Sequence, residues 1–75
     1  MKFIELSGAL LCEVINDDEI TSEDLQESGV EGTSMVRVNQ HGDIEVRRQS
    51  SWEPVGGLLG DFEERLKAKS GLDWA

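Results

Sequence analysis

The sequence predicts an α+β fold: a small antiparallel sheet of about four strands in two hairpins, a short helix near residues 22–28, and a C-terminal helix near 55–70 packed on the sheet. Three observations carry that expectation. Met35 to Arg48 alternates apolar and polar residues about a His41-Gly42 break, as a half-buried hairpin does. Val55, Leu58, Leu59, Phe62 and Leu66 recur at steps of three and four, the spacing of one helical stripe. Two further apolar runs, Phe3 to Leu6 and Ala9 to Ile15, flank Ser7-Gly8 near the start of the chain.

Pairing about Ser7-Gly8 sets Leu6 opposite Ala9 and Ile4 opposite Leu11, which gathers four apolar side chains on one face. The competing reading is a helix from Ser7, because Leu10, Leu11, Val14 and Ile15 also fit helical spacing. The β-branched end of the run, Val14-Ile15, favours the hairpin.

Asn16 to Glu19 is a polar break, after which Ser22 is placed to cap a helix with Glu23 and Asp24 in its first turn. Gly29 stops that helix early, leaving Ile20, Leu25 and Val30 as its apolar anchors. In the 35–48 hairpin, a three-residue loop over 40–42 faces Val38 to Ile44 and Val36 to Val46. It also puts Gly42 at the left-handed position that such a loop needs. Arg37, Glu45 and Arg47 then share the opposite face.

Two starts compete for the last helix: Ser51 capping a helix from Trp52, or Asp61 capping a shorter one with Glu64 three residues on. Gly56 and Gly60, four apart, suggest a helix face that another backbone approaches closely. Gly71 suits a left-handed stop that folds Leu72 back onto Leu66, with Trp74 as a tail anchor. The expected core is Ile4, Leu6, Leu11, Val36, Val38, Ile44, Val46, Leu58, Leu59, Phe62 and Leu66.

Seventy-five residues amount to one small domain, 1–75, with a core so small that self-association or a partner would help hold it together. Cys12 is the only cysteine, which excludes an internal disulfide and a multi-cysteine zinc site and points to a reduced, cytoplasmic setting. No apolar run reaches the length of a membrane span, and Glu5 and Glu13 interrupt any signal-peptide core. Sixteen acids against seven bases give a net charge of -9, and residues 1 to 34 hold nine of the acids with Lys2 as their sole base. Such a surface repels phosphate backbones and anionic lipid and attracts a basic protein patch.

No constellation of residues specifies a reaction. The Gly56-Gly57-Leu58-Leu59-Gly60 run lacks the Lys-Ser/Thr of a phosphate loop, and Asp61 stands where the anion would sit. Asn39, His41 and Asp43 alternate as metal ligands sometimes do, but a histidine at a loop tip reads first as a solvated turn residue. Cys12 reads as a buried small hydrophobe. Asn16-Asp17-Asp18-Glu19 has neither the ligand spacing nor the glycine of a calcium loop.

Ile20-Thr21, Glu23-Asp24-Leu25, Gly29-Val30, Gly32, Met35 to Val38 and Gly42 to Arg48 resemble the helix, turn and hairpin half of AbrB/MazE-like swapped-hairpin dimers. The resemblance implies a dimeric DNA-binding or antitoxin module with basic residues near its start; Asp17, Asp18 and Glu19 stand there instead.

The composition itself favours a small acidic, non-enzymatic interaction or regulatory protein, needing no cofactor, that meets a basic protein surface and forms a homo-oligomer. The alternatives are an acidic nucleic-acid mimic that inhibits a DNA-binding protein, or the AbrB/MazE-like module. The candidate partner-binding residues are Asp17, Asp18, Glu19, Glu23, Asp24, Trp52 and Trp74, five of them acids at and after the polar break and two the large aromatic anchors.

Overall fold

A computed structural model describes residues 1–16 and 18–75. Its elements run β1 (Phe3–Ser7), α1 (Gly8–Val14), α2 (Ser22–Glu27), β2 (Met35–Asn39), β3 (Asp43–Arg47), β4 (Trp52–Gly57) and α3 (Phe62–Ser70). The strands form one antiparallel sheet in the order β1-β2-β3-β4. The fold is α+β, with the C-terminal helix on the sheet.

The central hairpin has the expected register, Val38 facing Ile44 and Val36 facing Val46. Gly42 takes φ 92° at its turn, and a Cβ there would press on the Leu58 carbonyl and the Phe62 ring. Asn39 is buried in the same turn, its side-chain oxygen accepting from the backbone N–H groups of His41 and Asp43. The Asn39-His41-Asp43 alternation thus builds a turn.

The run after Ser7 is a helix, so the Ser7-Gly8 hairpin is corrected. β1 pairs with β2 across a long connection, Ile4 against Val38 and Leu6 against Val36. Ser7 then caps α1, its hydroxyl accepting from the Leu10 N–H, while the Gly8 and Ala9 N–H groups donate to the Ser34 and Gly32 carbonyls. Three donors that a helix start leaves orphaned are satisfied in this way. Leu11 and Val14 face inward at helical spacing, whereas Cys12 is exposed, contrary to its reading as a buried hydrophobe. Gly8 backs onto the Glu31 carbonyl so closely that a Cβ would overlap it.

In α2 the cap is Thr21, one residue before the expected Ser22, in a reciprocal capping box with Asp24. Arg48 closes the other end, donating to the Ser28 carbonyl at 2.7 Å and ion-pairing with Glu53. A cation at a helix C-terminus is favoured by the aligned peptide dipoles.

The C-terminal helix begins at Phe62 rather than near 55, because Trp52–Gly57 is a strand laddered to β3. The register shifts between Ile44 and Glu45, whose partners are Gly56 and Pro54, so Val55 is the extra residue of a bulge. Pro54 has no N–H to donate and sits on the edge strand, where that costs no ladder bond. The glycine-faced helix is therefore absent from this stretch. Gly56 does allow a close approach, but from the Ile20 side chain onto the strand, and Gly60 (φ 63°) lies in the turn before α3. That turn turns Leu59 outward, 67% exposed against its expected place in the core, and leaves Phe62 half-buried. Asp61 is the N-cap residue without a side-chain bond, Gly71 closes the helix at φ 71°, and Leu72 stays exposed instead of folding onto Leu66.

Ile4, Leu6, Val36, Val38, Ile44 and Val46 on the sheet's inner face join Leu11, Val14, Ile20, Leu25, Val30, Leu58 and Leu66 in one buried cluster. α1 packs against α3 as well as against β1 and β2. Among the described residues no helix is long and apolar enough to cross a membrane.

Two substitutions test this packing. Leu66→Asp places a charge in a site with no exposure and is expected to unfold the chain; an unchanged melting temperature rejects the docking of α3. Gly8→Ala forces α1 off the Glu31 carbonyl and should cost about 2 kcal/mol or more in urea denaturation.

Candidate functional site

The connection between β1 and β2, residues 8–34, contains eight acids and no base. Glu13 on α1, Asp18 in the following turn, Glu23, Asp24 and Glu27 on α2, and Glu31 beyond it are all exposed. None of these six forms an ion pair among the described residues. Asp24 is committed locally, to the capping box.

Glu19 has a different part. Its side chain is 3% exposed and held by the Arg65 guanidinium through two contacts, 3.0 and 2.8 Å, with further N–H donation from Asn16 and Leu59. Burial by itself would raise its pKa; the Arg65 hydrogen bonds, the Leu59 and Asn16 N–H groups and the Arg65 charge outweigh it and hold the carboxyl below its ordinary range. Arg65 also donates to the carbonyl of Val14, the last residue of α1. One ion pair thus fastens the end of α1, the turn at Asp18 and Glu19 and the approach to α3. Glu19 consequently leaves the set of surface acids available to a partner.

A shallow depression beside this pair is bordered by Asp18, Asp61, Glu64 and Arg65. Among the described residues no three acidic, histidine or cysteine side chains are grouped to hold a metal. The exposed His41 and Cys12 stand apart from it, one at the β2–β3 turn and one on α1.

The second notable surface is the sheet's outer face, with Phe3, Glu5, Met35, Arg37, Glu45, Arg47 and Trp52 projecting from it by strand alternation. The Arg37 guanidinium lies 3.8 Å from the Phe3 ring centroid and 4.3 Å from that of Trp52, while its Nε donates to Glu45 at 2.7 Å. Arg47 lies 5.7 Å from Trp52. A planar cation stacked between two rings keeps its charge while covering apolar area.

The two tryptophans point to opposite sides of the sheet. Trp52 covers Arg37 on the outer face, whereas Trp74 is half-buried against the core on the helical side, with the Lys67 ammonium 5.8 Å from its ring. Lys67 bridges Glu63 and Asp73 at 3.0 Å each; this holds both carboxyls below their ordinary range and the ammonium above its own. The tail then pairs with β1 through two backbone hydrogen bonds between Phe3 and Ala75. No single surface therefore includes both rings. Asp17 lies outside the described residues, and Asp18, Glu23 and Asp24 share the acidic side.

Sequence reading missed Glu13, Glu27 and Glu31 as members of that surface, and the Phe3-Arg37-Trp52 stack altogether. The base-free composition of residues 8–34 is the signal that would have found the first three. Comparisons with protein-family models, with curated proteins and with solved structures give no match. The helix, turn and hairpin that carried the AbrB/MazE resemblance are present, but both edges of that hairpin are occupied by β1 and β4 of the same chain.

The Glu19 carboxyl, depressed in the fold, contributes stability that is complete at neutral pH and lost as pH falls below its ordinary value of about 4.5. Glu19→Gln should therefore destabilise at pH 7 and approach the parent near pH 3; an equal gap at both pH values in urea denaturation refutes the assignment. Arg65→Ala leaves the buried carboxylate unpaired and should cost roughly 2–3 kcal/mol at pH 7.

Proposed function

We propose that this chain is a non-enzymatic interaction or regulatory protein that presents the acidic side of its β1–β2 connection to a basic surface on a protein partner, and does so as a homo-oligomer in the cytoplasm. The observation that carries the reading is the contrast between how the two charge types are used. Arg37, Arg48, Arg65 and Lys67 are all engaged in ion pairs within the chain. Glu13, Asp18, Glu23, Glu27 and Glu31 are not, and all five are exposed. These four bases hold the fold together and these five acids face outward. An acidic surface of this kind accelerates encounter with a positive partner and disfavours anionic lipid and nucleic acid. Direct binding of DNA in the AbrB/MazE manner has little support, since most of the bases it would use are taken up internally.

Occupying a DNA-binding protein in place of DNA is a narrower form of the same reading, and duplex DNA would then compete for the partner. The immobilised chain should retain a basic partner from lysate at low salt and release it as ionic strength rises toward about 0.5 M, where charge attraction is screened within a few ångströms. Glu13→Gln, Glu23→Gln and Glu27→Gln combined spare the capping box and should abolish that retention with the melting temperature preserved. Retention that ignores both salt and these changes would falsify the proposal.

A further inference from the structure

The outer face of the sheet carries Glu5, Asp43, Glu45, Arg37 and Arg47, a net of -1 on a chain whose total is -9. The remaining -8 lies elsewhere. Two copies meeting through their helical sides would oppose acid to acid, whereas two copies meeting through this face avoid that repulsion. Apolar area is open on this face as well, where Met35 is 47% exposed and Phe3 and Trp52 are half-buried.

The charges on this face are self-complementary. Arg37 and Glu45 satisfy each other, and Asp43 accepts from Asn39. Glu5 and Arg47 have no ion-pair partner among the described residues, and they are of opposite sign. They stand on β1 and β3, the strands on either side of β2. In a two-fold contact residue i meets j and j meets i, so a symmetric pairing that sets Glu5 of one copy against Arg47 of the other does so twice. The axis relating the two positions passes over β2 between Arg37 and Met35, and Met35 then packs near its counterpart in the second copy.

We propose that the chain forms a homodimer through the outer faces of its two sheets, with paired Glu5 and Arg47 contacts around a central pair of Met35 side chains. This rests on the homo-oligomer part of the reading above and extends it. The dimer covers the stacked Phe3, Arg37 and Trp52 and turns both acidic sides outward, so that one particle offers two identical acidic surfaces.

Sedimentation velocity on the full chain across a micromolar concentration series, with folding checked by circular dichroism, provides the test. The parent chain should dimerise. Glu5→Arg and Arg47→Glu should each weaken the dimer by about tenfold or more, because each sets like charges together twice, and the double exchange should restore it. Rescue by the double exchange supports the interface, and a merely structural effect of either change would not give it. A parent that stays monomeric overturns the dimer, while salt-sensitive retention of a basic partner still stands. A dimer that ignores both single reversals overturns this surface and leaves the homo-oligomer in place.

Discussion

A four-stranded sheet has two faces, and the helices of this chain cover only one. Everything apolar that β-branched strands can bury is gathered there: Val36, Val38, Ile44 and Val46 have no exposure, and Leu11, Leu25 and Leu66 meet them from the three helices. Hydrophobic burial is roughly proportional to area removed from water, so a chain this short concentrates it on one side and finishes the other with chemistry that tolerates water. The Phe3-Arg37-Trp52 stack is that finish. Its rings lie over a guanidinium instead of over a second layer.

The same one-sided arrangement explains where the charges went. A long connection must cross from the first strand to the second, and it carries nearly all the unbalanced acid. Its two helices would repel each other and fray were they not held at their ends. Arg65 reaches the final carbonyl of α1 and Arg48 reaches the carbonyls just after α2, each placing a positive charge where the peptide dipoles end. Both arginines come from the second half of the sequence. The acid-rich half is thus pinned by bases from the other half, and the acids that remain unpinned define the outward surface.

Much of this was legible in the sequence wherever local chemistry decided the outcome. The alternation and Gly42 fixed the central register, Gly71 fixed the end of α3, and nine of the eleven expected core residues are buried. Failures came where a distant partner decided. Residues 9 to 15 fit both periods, and the β-branched Val14-Ile15 favours a strand; β2 takes the edge of β1 instead, which leaves them free to coil. Trp52–Gly57 seemed to begin a helix because Val55 shares the spacing of Leu58 and Leu66; the ladder to β3, with a bulge at Val55, overrode that periodicity. Glu19 looked like one more surface acid, since nothing within its own stretch reveals that Arg65 lies 46 positions on and folds over it.

The pairing of Phe3 with Ala75 closes the molecule on itself. Because the first strand and the last residues are hydrogen-bonded neighbours, residues 1 and 75 lie close enough to be joined by a short linker, and the backbone becomes a ring in which no position is privileged as a beginning. Cutting such a ring at the exposed turn over 49–51 would give a permuted chain that keeps the core cluster and both arginine clasps but starts with β4 and ends with β3. In that order β1 would follow α3 directly. Such a chain would bring the same segments into contact with the order of their threading changed.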